Sequence, residues 1–145
     1  MINLDFLCMQ TAQAMMECQG EAGMKEKENV AIKGLGVLLE NGPYGLMLYL
    51  ETHDKKDISQ SYMKKLIGLC REKLVKNYIR TEEQVPSDGN FQQITKWLQE
   101  LAQDLDSYLF VKAMWQQTLT YARYHAKALK DAEEANLTEQ QEDTR

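Results

Sequence analysis

The chain has 145 residues, 43% hydrophobic and 27% charged, with a net charge of −5. Those values fit one domain large enough to bury a core without a disulfide or metal staple, and they exclude wholesale disorder. A pI near 5.1 argues against indiscriminate binding to nucleic acid.

The total charge hides a segregation. Residues 131–145 carry six acids and one base, so the preceding 130 residues sum to zero. Within those, Met1–Glu21 is −3, Ala22–Gln60 is −1, Ser61–Arg80 is +5, Thr81–Asp106 is −5 and Ser107–Lys130 is +4. Nearly all of the positive surplus falls in two stretches, both with helical periodicity.

In chain order, Asn3 or Asp5 can cap a first helix whose Leu4, Leu7, Cys8, Thr11, Met15 and Cys18 follow the three-four step, ending at Gly20 and Gly23. A second helix is predicted from about Lys25 through Leu39. Gly34 and Gly36 lie inside it at some cost to helix propensity, which points to a close helix contact there. Asn41-Gly42-Pro43 ends it, because glycine adopts a left-handed cap and proline suits the first turn of a new helix. The short third helix, Pro43 to about His53, is apolar nearly all round, and His53–Gln60 reads as a loop.

From Ser61, Tyr62, Met63, Leu66, Ile67, Cys70 and Tyr78 form an apolar side of a fourth helix, with Lys64, Lys65, Arg71 and Lys76 on the other and Glu72 opposing them. Val85–Asn90 is rich in turn residues. Phe91, Ile94, Trp97, Leu98, Leu101 and Leu105 mark a fifth helix. The sixth, Ser107–Lys130, carries a core stripe from Tyr108 through Trp115 to Leu129, with Lys112, Gln116, Arg123, Lys127 and Lys130 on a narrow arc beside it and no acid at all. It opens at Asp106 or Ser107 as N-cap, and at 1.5 Å per residue it is roughly 35 Å long.

No stretch alternates with period two. The expectation is therefore an all-α compact bundle of about six helices without a sheet, a single helical domain over residues 1–130, and a frayed or disordered acidic tail over residues 131–145. Cys8, Cys18 and Cys70 have no Cys-x-x-Cys spacing and sit among apolar neighbours, as buried thiols of a reducing cytosol do. No basic leader or apolar span occurs, which predicts an unprocessed cytoplasmic protein.

Catalytic chemistry is not announced. A carboxylate-bridged metal site needs Glu-x-x-His pairs, but Leu50 and Ala122 stand three residues before His53 and His125, and two histidines without clustered cysteines do not suit zinc. His125 reads as a hydrogen-bonded core histidine, Cys70 as buried beside Leu66 and Leu74, and Asp104 with Asp106 as helix capping. The expectation is a non-enzyme with no cofactor, no metal and no small-molecule substrate.

The basic faces have three readings: ordinary solvated surface, a sequence-independent phosphate track on nucleic acid, or a surface that meets acidic patches of neighbouring copies such as Thr81–Asp106. Gln116, Gln117 and Tyr124 can add hydrogen bonds or stacking to the phosphate reading.

Three stretches together carry a resemblance. VAIKGLGVLLENGPYGLMLYLETH (Val30–His53), SYMKKLIGLC (Ser61–Cys70) and DSYLFVKAMWQQTLTYARYHAKAL (Asp106–Leu129) resemble, in order, helices of the small α-helical subunit of the Cmr-type (type III-B) CRISPR effector complex. The chain departs from that pattern at Tyr121 and His125, where Trp and an aromatic residue are expected, and in its acidic tail. The resemblance implies a non-catalytic antiviral-defence protein that stacks in several copies beside the guide-bearing backbone, with other effector subunits and guide or target RNA as partners. On that implication Lys64, Lys65, Arg71, Lys112, Arg123 and Lys127 are the candidate RNA-binding residues. The small subunit of the Csm-type complex and a homo-oligomeric, protein-binding helical adaptor are the rival readings.

Overall fold

The computed structural model describes residues 3–18, 23–87 and 90–143, which form helices joined by irregular segments, with no strand among them. The elements are α1 (Leu4–Met16), α2 (Met24–Thr52), α3 (Lys56–Cys70), α4 (Lys73–Lys76), α5 (Phe91–Leu101) and α6 (Leu105–Asp143). α6 packs along α1 and α2, and α3 packs on the same two helices, so the core lies between these four. None of the described helices is long and apolar enough to cross a membrane.

The break at Asn41-Gly42-Pro43 is the sharpest feature of the backbone. Gly42 has φ 78° and ψ −175°, a conformation that costs an L-residue about 1–3 kcal/mol. It turns α2 into a hairpin of two arms. A Cβ placed on Gly34 would lie 3.3 Å from Leu46 and 3.9 Å from Tyr49, although Tyr49 is 15 residues on and would stand about 22 Å away along a straight helix. The close contact expected at Gly34 is therefore made by the second arm folding back on the first. Gly36 meets nothing and is not part of it.

Polar atoms at the helix ends lock the arrangement. Phe6 N donates to Asn3 Oδ1 at 2.8 Å, so Asn3 rather than Asp5 caps α1. Lys27 is buried, and its ammonium donates at 2.7 Å to the Met16 carbonyl, where a cation meets the negative end of α1. Tyr62 Oη on α3 donates at 2.8 Å to the Lys27 carbonyl, joining three helices at one corner. Trp115 Nε1 donates at 3.1 Å to the Leu66 carbonyl.

Several boundaries differ from the sequence reading. α3 begins at Lys56, so most of the expected His53–Gln60 loop is its first turn, with Ile58 and Ser59 buried. It stops at Cys70, and Tyr78 lies beyond α4, half exposed and stacked on Phe110 at 5.0 Å. The fifth helix ends at Leu101, and Leu105 opens α6 as one of the most exposed apolar side chains. Asp104 occupies the position before α6, its carbonyl accepting from Tyr108 N and its carboxylate from Ser107 Oγ, while Ser107 Oγ accepts from Arg80 N at 2.8 Å. The start of α6 is thus tied to the segment after α4.

At the other end, α6 does not stop at Lys130 as the sequence reading has it, but continues to Asp143. The segment Asp131–Asp143 holds no glycine or proline and is rich in Ala, Glu and Gln, all strong helix formers, so polarity does not end the helix. Residues 131–139 are exposed on every side. Gly20, Asp88 and Gly89, read as a helix stop and part of a linker, lie outside the described residues, as do Thr144 and Arg145 at the end of the expected tail.

Candidate nucleic-acid interface

α3 is amphipathic with a clean division. Ile58, Tyr62, Met63, Leu66, Ile67 and Cys70 are fully buried, which turns Gln60, Ser61, Lys64, Lys65 and Gly68 to the other side at the i, i+4, i+5, i+8 spacing of a helix face. That side meets Gln10, Thr11 and Ala14 of α1 across an open trough of about 810 Å³. Arg71, just past the end of α3, closes one part of it. Its Nη1 donates at 2.6 Å to the Pro86 carbonyl and its Nη2 lies over Gly68, so the guanidinium is held at the rim by the segment between α4 and α5.

Lys56 also lines the trough, its ammonium hydrogen-bonded to the Glu51 carbonyl. Against Lys56, Lys64, Lys65 and Arg71 stand Asp57 and Glu72, so the walls carry a surplus of positive charge. Among the described residues the ion pairs are His53–Asp54, Lys96–Glu83 and Lys130–Glu28, and none of them uses Lys64, Lys65 or Arg71. Exposed cations without a carboxylate partner, flanked by the amides of Gln10 and Gln60 and the hydroxyls of Thr11 and Ser61, are the donor set that a phosphate chain takes.

The second group sits elsewhere. Lys112, Arg123 and Lys130 are spaced by 11 and 7 residues, close to whole turns, and so share one arc of α6. Lys130 Nζ lies 2.8 Å from Glu28 Oε2, which fixes that arc on the α2 side and spends Lys130 on a carboxylate. α1 meets the opposite flank of α6, where Tyr121 Oη donates at 2.5 Å and Gln117 Nε2 at 3.5 Å to Asp5 Oδ1. The structure therefore brings Lys64, Lys65 and Arg71 together and separates them from Lys112, Arg123 and Lys127. Arg123 packs its guanidinium 5.3 Å from the Tyr124 ring centroid, Lys112 is half-buried and Lys127 is exposed.

Other residues singled out in the sequence fall into place. His125 is not in the core: it is half-buried in a shallow groove between α1 and α6 with Met9, Gln13 and Tyr124. Cys70 is fully buried, and burial pushes its thiol up to about 12 against smaller opposing effects of Trp115 and Arg71, so it is inert rather than activated. Cys8 is buried, with its thiol raised by the same cause. No cluster of three metal-ligating side chains occurs among the described residues.

Sequence reasoning missed Lys56 and the α1 wall. Lys56 stands eight residues before Lys64 on the same face, a signal hidden by assigning His53–Gln60 to a loop. Gln10 and Thr11 gave no signal, because only the packing of α1 on α3 makes them part of a groove. Comparison with protein-family models, with curated proteins and with solved structures gives no match to this chain.

Proposed function

We propose that the chain is a non-catalytic small subunit of a type III-B, Cmr-type CRISPR ribonucleoprotein that contacts RNA phosphates through its basic helix faces. The observation that carries the reading is the α1/α3 trough: Lys64, Lys65 and Arg71 project from one helical stretch into a polar-walled channel with no carboxylate pairing them. Such a surface binds a phosphate chain by charge and releases counterions without reading sequence. Stacked copies of the subunit, presenting troughs in series along guide and target RNA, suit that chemistry, and cleavage belongs to other subunits. Lys112, Arg123 and Lys127, on the far flank of α6, form a second strip that either continues along the RNA or faces another effector subunit. In this role the protein works in the cytoplasm, needs no cofactor or metal, and takes no small-molecule substrate.

The test is affinity purification of the tagged protein from its host, with mass spectrometry of partners and sequencing of bound RNA. Short RNAs sharing a constant 5′ end, together with larger co-purifying subunits, support the proposal. Recovery of this helical chain without RNA overturns it and leaves the protein-binding adaptor.

A further inference from the structure

Two features of the molecule lack partners and match each other. One is the extension of α6 past Lys130. Residues 131–143 carry six acids and no base, residues 131–139 are exposed, and over about 20 Å of helix Leu137 is the one large apolar side chain, 59% exposed. A charged helix projecting into solvent gains nothing from packing, and its i, i+3 carboxylates Asp131 and Glu134 repel each other.

The other is the α1/α3 trough. At one end it runs into a second groove of about 550 Å³, because Gln10 and Glu72 line both. This second groove is apolar where the first is basic: Phe6, 43% exposed, Leu7 and Leu74 form its floor, with Lys73 at its edge. The combined channel offers cations over most of its length and an apolar seat at one end. An acidic helix with a single leucine is complementary to it in both respects.

We propose that the acidic extension of α6 from a second copy of this chain lies in the α1/α3 trough when RNA does not, with its carboxylates against Lys64 and Lys65 and Leu137 against Phe6 and Leu74. The occupant is a second copy because α6 packs along α1 and α2 and is unbroken across Lys130 and Asp131, so a chain's own extension cannot turn back into the trough between its own α1 and α3. The acidic helix acts as an anionic stand-in that RNA displaces. The inference rests on the proposed function only in assigning RNA to the same trough.

The experiment is sedimentation velocity on the full chain at low and at high salt, beside a chain ending at Lys130. Association of the 16.8 kDa protein at low salt, lost on truncation and on raising salt, is the expected result. Lys64→Glu with Lys65→Glu weakens association by about tenfold or more, and mixing that variant with Glu133→Lys, Glu134→Lys restores it. All four side chains are exposed, and far-UV circular dichroism verifies that each variant folds. A full chain that stays monomeric at low salt, or association indifferent to truncation and charge exchange, overturns the proposal. Adding a 20-nucleotide oligouridylate separates this inference from the function it leans on: dissociation of the pair supports both. Association that persists with RNA bound leaves the arm contact standing and overturns the assignment of RNA to the trough. RNA bound by a monomeric full chain does the reverse.

Discussion

Trp115 and Leu66 are joined across the core, the indole N–H donating at 3.1 Å to a carbonyl in the middle of α3. Leu66 follows Lys64 and Lys65 directly, so this bond sets how far α3 is rotated and hence which way the two lysines face. Trp115→Phe removes the donor and leaves a void where the fully buried indole was. A loss of about 1–3 kcal/mol in urea denaturation is expected, with the midpoint moved and the slope kept.

Gly42 is required by its backbone angle and by Tyr108, whose hydroxyl oxygen would lie 3.0 Å from an added Cβ. Gly42→Ala is expected to lower stability by about 1–3 kcal/mol in the same assay. Gly36→Ala provides the opposite sign: the site is open and helical, so removing glycine stabilises by about 0.5–1 kcal/mol. A loss at both positions would mean that the two arms of α2 pack more closely than described.

Stability should fall on the alkaline side. The Cys70 thiol, ordinarily at 9.0, is pushed up to about 12 by burial, so between those values the unfolded chain releases a proton that the folded chain keeps. The unfolded state then binds fewer protons, and stability drops by about 1.4 kcal/mol per pH unit, whereas below pH 9 this group contributes no slope. Burial also raises the Tyr62 hydroxyl from 10.0, which steepens the fall above pH 10. Urea midpoints at pH 8, 9, 9.5 and 10 should show it, and Cys70→Ala should reduce the slope between pH 9 and 10, leaving the smaller part that the buried Cys8 thiol contributes.

Thiol chemistry gives an independent reading of the same burial. In the native protein at pH 8, Cys70 and Cys8 should resist an aromatic disulfide reagent, while Cys18, the half-buried one, reacts first. Full reactivity of all three should require denaturant. Rapid native labelling of Cys70 would contradict its burial beside Trp115.

The helical bundle was legible in the sequence because apolar spacing and the Asn41-Gly42-Pro43 break are local properties. The core positions from Leu7 through Trp115 to Ala126 follow the same step the residues display. Boundaries were less legible. Lys56–Gln60 reads as polar loop because the burial of Ile58 and Ser59 depends on neighbours far off in the chain, and Asp131–Asp143 reads as disorder because polarity masks its helix propensity. Half of the candidate site could be read. Lys64, Lys65 and Arg71 announce a face by spacing alone, but that α1 supplies the opposite wall, and that α6 turns its own cations toward α2, are products of packing.

The most direct measurement is the salt dependence of RNA binding. A labelled single-stranded RNA is titrated with the wild-type protein, with Lys64→Glu, Lys65→Glu, and with Arg123→Glu, Lys127→Glu, at several salt concentrations. If Lys64, Lys65 and Arg71 neutralise phosphates, the wild type binds with a negative slope, and reversing the two lysines weakens binding and flattens log K against log salt by about 1.4, with helix content unchanged. Reversal at Arg123 and Lys127 weakens binding and flattens the slope as well, if the α6 strip also touches RNA. A slope unaltered by reversal of Lys64 and Lys65, or no binding by the wild type at low salt, would contradict the account.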